Sequence, residues 1–253
     1  LRTNGISSDK FTVCIAANDE NNIWVGEGIG PNAGADIYRT TNGGQIWSVQ
    51  INSGGSTDFI NGIQFSRINP TYGYAWSSPA NNTVDPIKIF KTSNSGVTWA
   101  EYSYTQPQFY TGYRPSICIT DSNHAWFNLY KSEGIYDTVR ILYTTDGGQN
   151  FKVSKLPVLG YWAGGLQFKN DNLYGLATVY FQTNILFRTT NGGLNWQILS
   201  TPHPLGNTIK IISIPNSRTW YAATDIMDTL MGRLFYKSTN DGSTWFPMSY
   251  QYF

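Results

Sequence analysis

The chain has 253 residues, of which 15% are aromatic and only 13% charged, with a formal net charge of +1. That length permits one large domain with a substantial core, and the near-neutral balance argues against nucleic acid or an anionic lipid surface as a partner. No run of about 18 apolar residues occurs, so no membrane insertion is expected. No signal peptide is visible and the first residue is Leu1, which fits a mature or excised piece flanked by other domains.

Taken in chain order, five segments repeat one four-stranded pattern, whose strands are here called A to D. Each opens on an apolar A strand with a small or polar centre: Val13-Cys14-Ile15, Ile63-Gln64-Phe65, Ile117-Cys118-Ile119, Leu166-Gln167-Phe168 and Ile212-Ser213-Ile214. A turn rich in Asn, Asp, Ser or Pro follows, and then a B strand that opens with an aromatic residue, Trp24, Tyr74, Trp126, Tyr174 or Trp220. Strand C leads into a compact turn and strand D leaves it. β-Branched content and alternation support strands throughout, with no long helical periodicity. The five units fall at about 6–52, 58–105, 114–156, 162–201 and 207–250. The matching settings of Cys14 and Cys118, in non-neighbouring units, point to two buried thiols and away from a disulfide.

The turn between C and D carries the strongest signal. It reads Ser/Thr, any, Asn/Asp, any, Gly, any, any, Trp/Phe. Its instances are Asn42, Gly44 and Trp47; Asn94, Gly96 and Trp99; Asp146, Gly148 and Phe151; Asn191, Gly193 and Trp196; Asn240, Gly242 and Trp245. The closing aromatics are separated by 52, 52, 45 and 49 residues. The Asn/Asp side chain is expected to accept hydrogen bonds from turn amides, the hydroxyl to tie the turn, the glycine to adopt a conformation closed to other residues, and the aromatic ring to be buried between sheets. A single carboxylate, Asp146, is too little for a hard cation, so the turns are not metal loops, and neither metal nor cofactor is expected.

These five segments resemble the Asp-box, or BNR, repeat found in sialidases, xyloglucanases, sortilin-type receptors and photosystem assembly factors of the Ycf48 type. The resemblance covers almost the whole chain and implies an all-β fold, a β-propeller of four-stranded antiparallel blades. Five blades are visible as a single domain over 1–253. Leu1 to Gly5 faintly resembles the start of a box, so a worn sixth unit, a five-bladed ring and a piece of a larger propeller are all open.

In such a fold the A–B and C–D turns share one face, and the B–C and D–A loops share the other, where ligands usually bind. The second set of loops concentrates aromatic side chains. Tyr110, Tyr113, Tyr136, Trp162 and Tyr180 suit a platform for sugar rings or an extended peptide, with Arg114 and Glu133 as directional polar partners. Three classes of function follow. The first is a non-catalytic extracellular or cell-surface module that binds a glycan or protein. The second is a glycoside hydrolase of the sialidase or xyloglucanase type. The third is an assembly factor of the Ycf48 type, for which the near-neutral charge supplies no basic patch.

The enzymatic class finds little support in the residues. Arg39 and Arg188 precede boxes and repeat with the scaffold, which is not how a convergent arginine clamp would be placed. The acidic residues on the loop side (Glu27, Asp36, Asp58, Asp85, Glu133, Asp137, Asp225 and Asp228) show no spacing that singles out a pair for glycoside hydrolysis.

Overall fold

The computed structural model describes residues 4–6, 10–28, 34–53, 57–80, 85–105, 109–110, 116–133, 136–159, 162–181, 183–199, 208–224 and 235–248. They are all β-strand and turn. The strands of blade 1 are β1 (Phe11–Ala17), β2 (Ile23–Gly28), β3 (Asp36–Thr40) and β4 (Ser48–Asn52); those of blade 2 are β5 (Thr57–Phe65), β6 (Gly73–Pro79), β7 (Ile87–Thr92) and β8 (Ala100–Tyr104). After a short β9 (Phe109–Tyr110), blade 3 has β10 (Ile117–Ile119), β11 (Ala125–Glu133), β12 (Tyr136–Thr144) and β13 (Lys152–Leu159). Blade 4 has β14 (Trp162–Phe168), β15 (Gly175–Phe181), β16 (Thr183–Thr189) and β17 (Gln197–Leu199); blade 5 has β18 (Thr208–Ser213), β19 (Trp220–Thr224), β20 (Phe235–Ser238) and β21 (Phe246–Pro247).

Each blade is a meander in which strands adjacent in sequence pair antiparallel. The fold is a β-propeller of four-stranded antiparallel blades. Blades 1 and 2 depart from a simple series of separate sheets. Gly28 of β2 pairs with Phe59 of β5, so the two blades join into one eight-stranded sheet. A side chain on Gly28 would meet the Phe59 ring at 2.1 Å, so only glycine permits this crossing. Bulges in β5 between Thr57 and Phe59 and between Ile60 and Gly62 bend that strand.

Contacts divide the chain into two compact units. One comprises Leu1–Thr111, Ile119–Ala125 and Thr144–Phe151; the other comprises Gly112–Cys118, Trp126–Tyr143 and Lys152–Phe253. In the first unit the core gathers Trp24, Ile37, Ile60, Ile63, Phe65, Ala75 and Phe90. The Trp24 ring lies 4.5 Å from Phe65, which in turn meets the edge of Trp99 at 6.0 Å. The second unit repeats the device. Trp126 stacks on Phe168 at 3.8 Å and 9°, and Phe168 meets Trp196 edge-on at 5.9 Å. In each case the aromatic opening strand B of one blade reaches strand A and the box ring of the next. Each fully buried ring of this kind contributes on the order of 2–3 kcal/mol, and aromatic geometry adds to it.

Three expectations need correction. The box rings are not uniformly buried: Trp196 and Trp245 are, but Trp47, Trp99 and Phe151 are half-buried, and among the described residues the completely buried indoles are Trp24, Trp76, Trp126 and Trp220. Strand interiors, not turns, therefore carry the deepest burial. The first of the apolar A strands, β1, is not a covered one, because Phe11 and Ile15 are 73% and 68% exposed. Of the two thiols, Cys118 is buried but Cys14 is half-buried. The Cys14 thiol donates to the Ile60 carbonyl at 3.3 Å, and burial of the sulfur pushes its pKa up to about 12.

Candidate functional site

The five boxes share one hydrogen-bonded lock. In box 4 the Thr189 hydroxyl donates to Asn191 Oδ1 at 3.0 Å and accepts from the amides of Asn191 and Gly193. Asn191 Oδ1 accepts in turn from the Asn195 amide at 3.0 Å. The same four bonds recur around Thr40 and Asn42, Thr92 and Asn94, Thr144 and Asp146, and Ser238 and Asn240. The hydroxyl is buried in every box. One oxygen does the accepting, so an amide serves as well as a carboxylate. This accounts for Asn at four positions.

In boxes 2, 3 and 5 the second side-chain atom is matched to the residue four places on. Asn94 and Asn240 donate to the hydroxyls of Thr98 and Thr244, whereas Asp146 Oδ2 accepts from the Asn150 amide, each at 2.8 Å. Amide donors from Asn150, backbone first, hold the Asp146 carboxyl down to about 2.

Two consecutive residues of each box lie in the left-handed region. The box glycines have φ between 69 and 90, and the preceding residues Gly43, Ser95, Gly147, Gly192 and Asp241 have φ between 55 and 73. The first of the two presents its amide to the A–B turn of the same blade, at Asn21, Thr71, Asn123, Leu173 and Arg218 respectively. Those A–B turns carry locks of their own. Asp19, Asn69, Asp121 and Asp171 accept from backbone amides two or three residues on, and the Ser217 hydroxyl accepts from Thr219. The accepting oxygens of these side chains are occupied in holding turns.

The loop-side residues expected to form a binding surface are placed only in part. Tyr113 and Arg114 lie outside the described residues, and of Tyr110, Glu133, Tyr136, Trp162 and Tyr180 the backbone alone is described. Tyr110 ends β9, Glu133 ends β11, Tyr136 opens β12 and Trp162 opens β14. Trp162 and Tyr180 are register partners across β14 and β15, one residue short of the tight β15–β16 connection. Two aromatic positions distant in sequence are therefore adjacent at the loop end of blade 4.

Sequence reading did not find the ionic cluster at the loop end of blade 1. Lys10 Nζ lies 2.7 Å from Asp36 Oδ2, with side-chain exposures of 10% and 7%. Asp36 opens β3 and Glu27 lies near the end of its neighbour β2, fully buried. Register explains the grouping: Gly26 pairs with Ile37, so Glu27 and Asp36 are the next positions outward. The hint in the sequence was a pair of acidic residues flanking one loop, but the lysine comes from just before β1 and no spacing announces it.

A second unforeseen cluster lies at the opposite, turn end of the blades. Asp241 of box 5 accepts from Lys169 at one oxygen and from Arg218 Nε at the other, the latter at 2.8 Å. These two cations, with help from the Trp220 indole, hold the Asp241 carboxyl below its usual range against the opposing effect of burial. The legible signal was the charge itself: the corresponding residue is Gly or Ser in the other four boxes. Among the described residues, no group of three or more His, Cys, Asp or Glu side chains is placed to hold a metal ion.

Comparison with known proteins bears on the fold. No protein-family model and no curated protein matches the sequence. Solved structures do match. A GH74 enzyme from Niastella koreensis is similar over 93% of this chain at 14% identity, with a TM-score of 0.58. The chain spans only 38% of that enzyme. YCF48 from Cyanidioschyzon merolae is similar over 96% of this chain and 72% of its own, at 14% identity and a TM-score of 0.56. An α-L-arabinanase from Penicillium chrysogenum, solved with arabinobiose, is similar over 97% of this chain and 82% of its own, at 10% identity and a TM-score of 0.56. These likenesses establish a β-propeller fold of the kind the repeats imply.

Proposed function

We propose that the chain is a non-catalytic binding module that presents the B–C and D–A loop end of its blades to a glycan or an extended protein segment. The observation that carries this reading is the register of β14 and β15. It sets Trp162 opposite Tyr180 at one sheet end, the spacing that a flat sugar face or a peptide side chain needs from an aromatic platform. The state of the acidic pair in blade 1 supports the non-catalytic part. Asp36 is tied to Lys10, and Glu27 is fully buried. A general acid or nucleophile must be reachable by substrate or water, and these two are sealed. Propellers of similar fold include one solved with a bound arabino-oligosaccharide, which agrees with a sugar ligand. The aromatic-rich, charge-poor composition agrees with an extracellular or cell-surface setting.

The test is retention on glycan and peptide arrays by the intact chain and by a Trp162→Ala/Tyr180→Ala variant. Loss of retention with an unchanged melting temperature supports the reading. Equal retention by both proteins, or loss of folding in the variant, refutes the placement of the surface. Release of reducing sugar from a sialoside, xyloglucan or arabinan refutes the non-catalytic assignment.

A further inference from the structure

The turn end of blades 4 and 5 contains a groove of about 310 Å³ lined by Lys169, Asn170, Asp171, Asn216, Ser217 and Arg218. It lies between the two A–B turns, at the other end of the blades from the B–C and D–A loops. Its lining is rich in donors. Lys169 supplies an ammonium, Asn170 and Asn216 supply amides, and Ser217 has a hydroxyl proton left after its oxygen accepts from Thr219. The carboxylate on the rim, Asp171, is turned to its own chain, with Oδ1 accepting from the Leu173 and Tyr174 amides at 2.9 Å.

The repeat offers an internal control on what the lock itself requires. Where a cation of one blade meets the next box elsewhere in the chain, it bonds to a backbone carbonyl: Arg39 to Gly96 at 3.4 Å and Lys91 to Gly147 at 2.6 Å. Box 5 instead offers the Asp241 carboxylate and recruits a second cation, Arg218, whose side chain is 71% exposed. Lys169 stands elsewhere in its blade, just after strand A, whereas Arg39 and Lys91 stand on strand C one place before the box hydroxyl, so it meets box 5 from a different position. It also stands 4.9 Å from the Tyr174 ring centroid and 5.9 Å from that of Trp220, a position set by packing. Arg218 spends Nε on Asp241, which fixes the plane of the guanidinium and leaves its Nη edge for another partner. A guanidinium oriented from behind by one carboxylate, beside an ammonium, is a preorganised receptor for a second carboxylate.

We propose that this groove binds a small carboxylate-bearing ligand, of the size of a uronic acid, with Arg218 as the oriented partner and Lys169 as the supporting charge. The hydroxyl and amides of Ser217, Asn170 and Asn216 are available to the ligand's remaining oxygens. The proposal is independent of the loop-end surface, and the two can fail separately.

The experiment is a titration of the intact chain with sodium glucuronate, followed by calorimetry and by amide resonances of 216–218, with glucose as the neutral control. Saturable binding of glucuronate without binding of glucose is expected. Arg218→Gln should weaken it about tenfold or more while leaving the melting temperature unchanged, since the side chain is largely in solvent. Asp171→Asn should tighten binding, because it removes the opposing charge and keeps the Oδ1 acceptor that the turn amides use. The proposal is overturned by the absence of saturable binding, by equal binding of glucose, by an affinity that Arg218→Gln leaves unchanged, or by Asp171→Asn weakening the complex.

Discussion

Replacing Thr189 by Val tests the box lock at its centre. The two side chains have nearly the same shape, so the change opens no cavity. It removes a hydroxyl that donates to Asn191 Oδ1 and accepts from the Asn191 and Gly193 amides, in a side chain only 1% exposed. The Gly193 amide is buried beneath the Trp126 and Phe168 rings, 3.3 and 3.4 Å from where a side chain would stand, and water has no room to replace the lost acceptor. A buried unsatisfied donor costs about 1–3 kcal/mol, so Thr189→Val should destabilise the chain by about 2 kcal/mol. In a chain of this size that corresponds to a fall in melting temperature of roughly 4–8 °C. Thr189→Ser is the control. It keeps the hydroxyl, as Ser238 does in box 5, and should cost no more than about 1 kcal/mol for one lost methyl. Urea unfolding of the three proteins under identical conditions measures the difference. If Val proves as mild as Ser, within about 0.5 kcal/mol, the hydroxyl is not what secures the turn and the reasoning fails.

The glycines of the boxes should differ in sensitivity although their backbone angles agree. A methyl on Gly96 would stand 2.6 Å from the Trp24 indole, whereas one on Gly44 would find its nearest neighbour, the Trp47 ring, at 3.6 Å. Gly44→Ala should therefore cost only the left-handed penalty of about 1–2 kcal/mol, and Gly96→Ala several kcal/mol, as read from chemical denaturation midpoints. Box 3 should show an acid response of its own. The Asp146 carboxyl is depressed from 3.8 to about 2 in the folded chain, so its contribution to stability is complete above pH 4 and is lost as pH falls toward 2. Asp146→Asn with Asn150→Thr, which reproduces the pairing of boxes 2 and 5, should remove that part of the acid sensitivity and keep stability at pH 7. An acid limb identical to that of the parent chain would refute the assignment.

The fold was legible because its determinants are local and repeated five times. A hydroxyl, an Asn or Asp, a glycine and an aromatic at fixed offsets define a turn whatever surrounds them, and the spacing of Trp47, Trp99, Phe151, Trp196 and Trp245 gave the repeat length. The joining of blades 1 and 2 through Gly28 and Phe59 was not legible, since it depends on bulges that no local pattern marks. Nor was the depth of burial. Phe151 and Trp196 look equivalent in sequence, yet Trp196 is buried, with its indole N–H donating to Ser154 Oγ at 3.2 Å, while Phe151, which meets the Tyr102 ring at 6.3 Å, is half-buried. Both ionic clusters were missed for one reason. Lys10 with Asp36, and Lys169 with Arg218 and Asp241, are assembled from residues 23 to 72 positions apart.

The indole of Trp126 donates to the carbonyl of Gly192, and the phenol of Tyr174 donates to that of Asp241, so a ring from one repeat latches onto the turn of its successor. Both bonds join neighbouring repeats, and a shared contact couples its two sides reciprocally. Loosening either repeat should therefore loosen the other, and hydrogen exchange measured along the chain should spread from a lesion into the adjoining repeats on both sides and fade with distance, as a dropped stitch pulls at the rows around it.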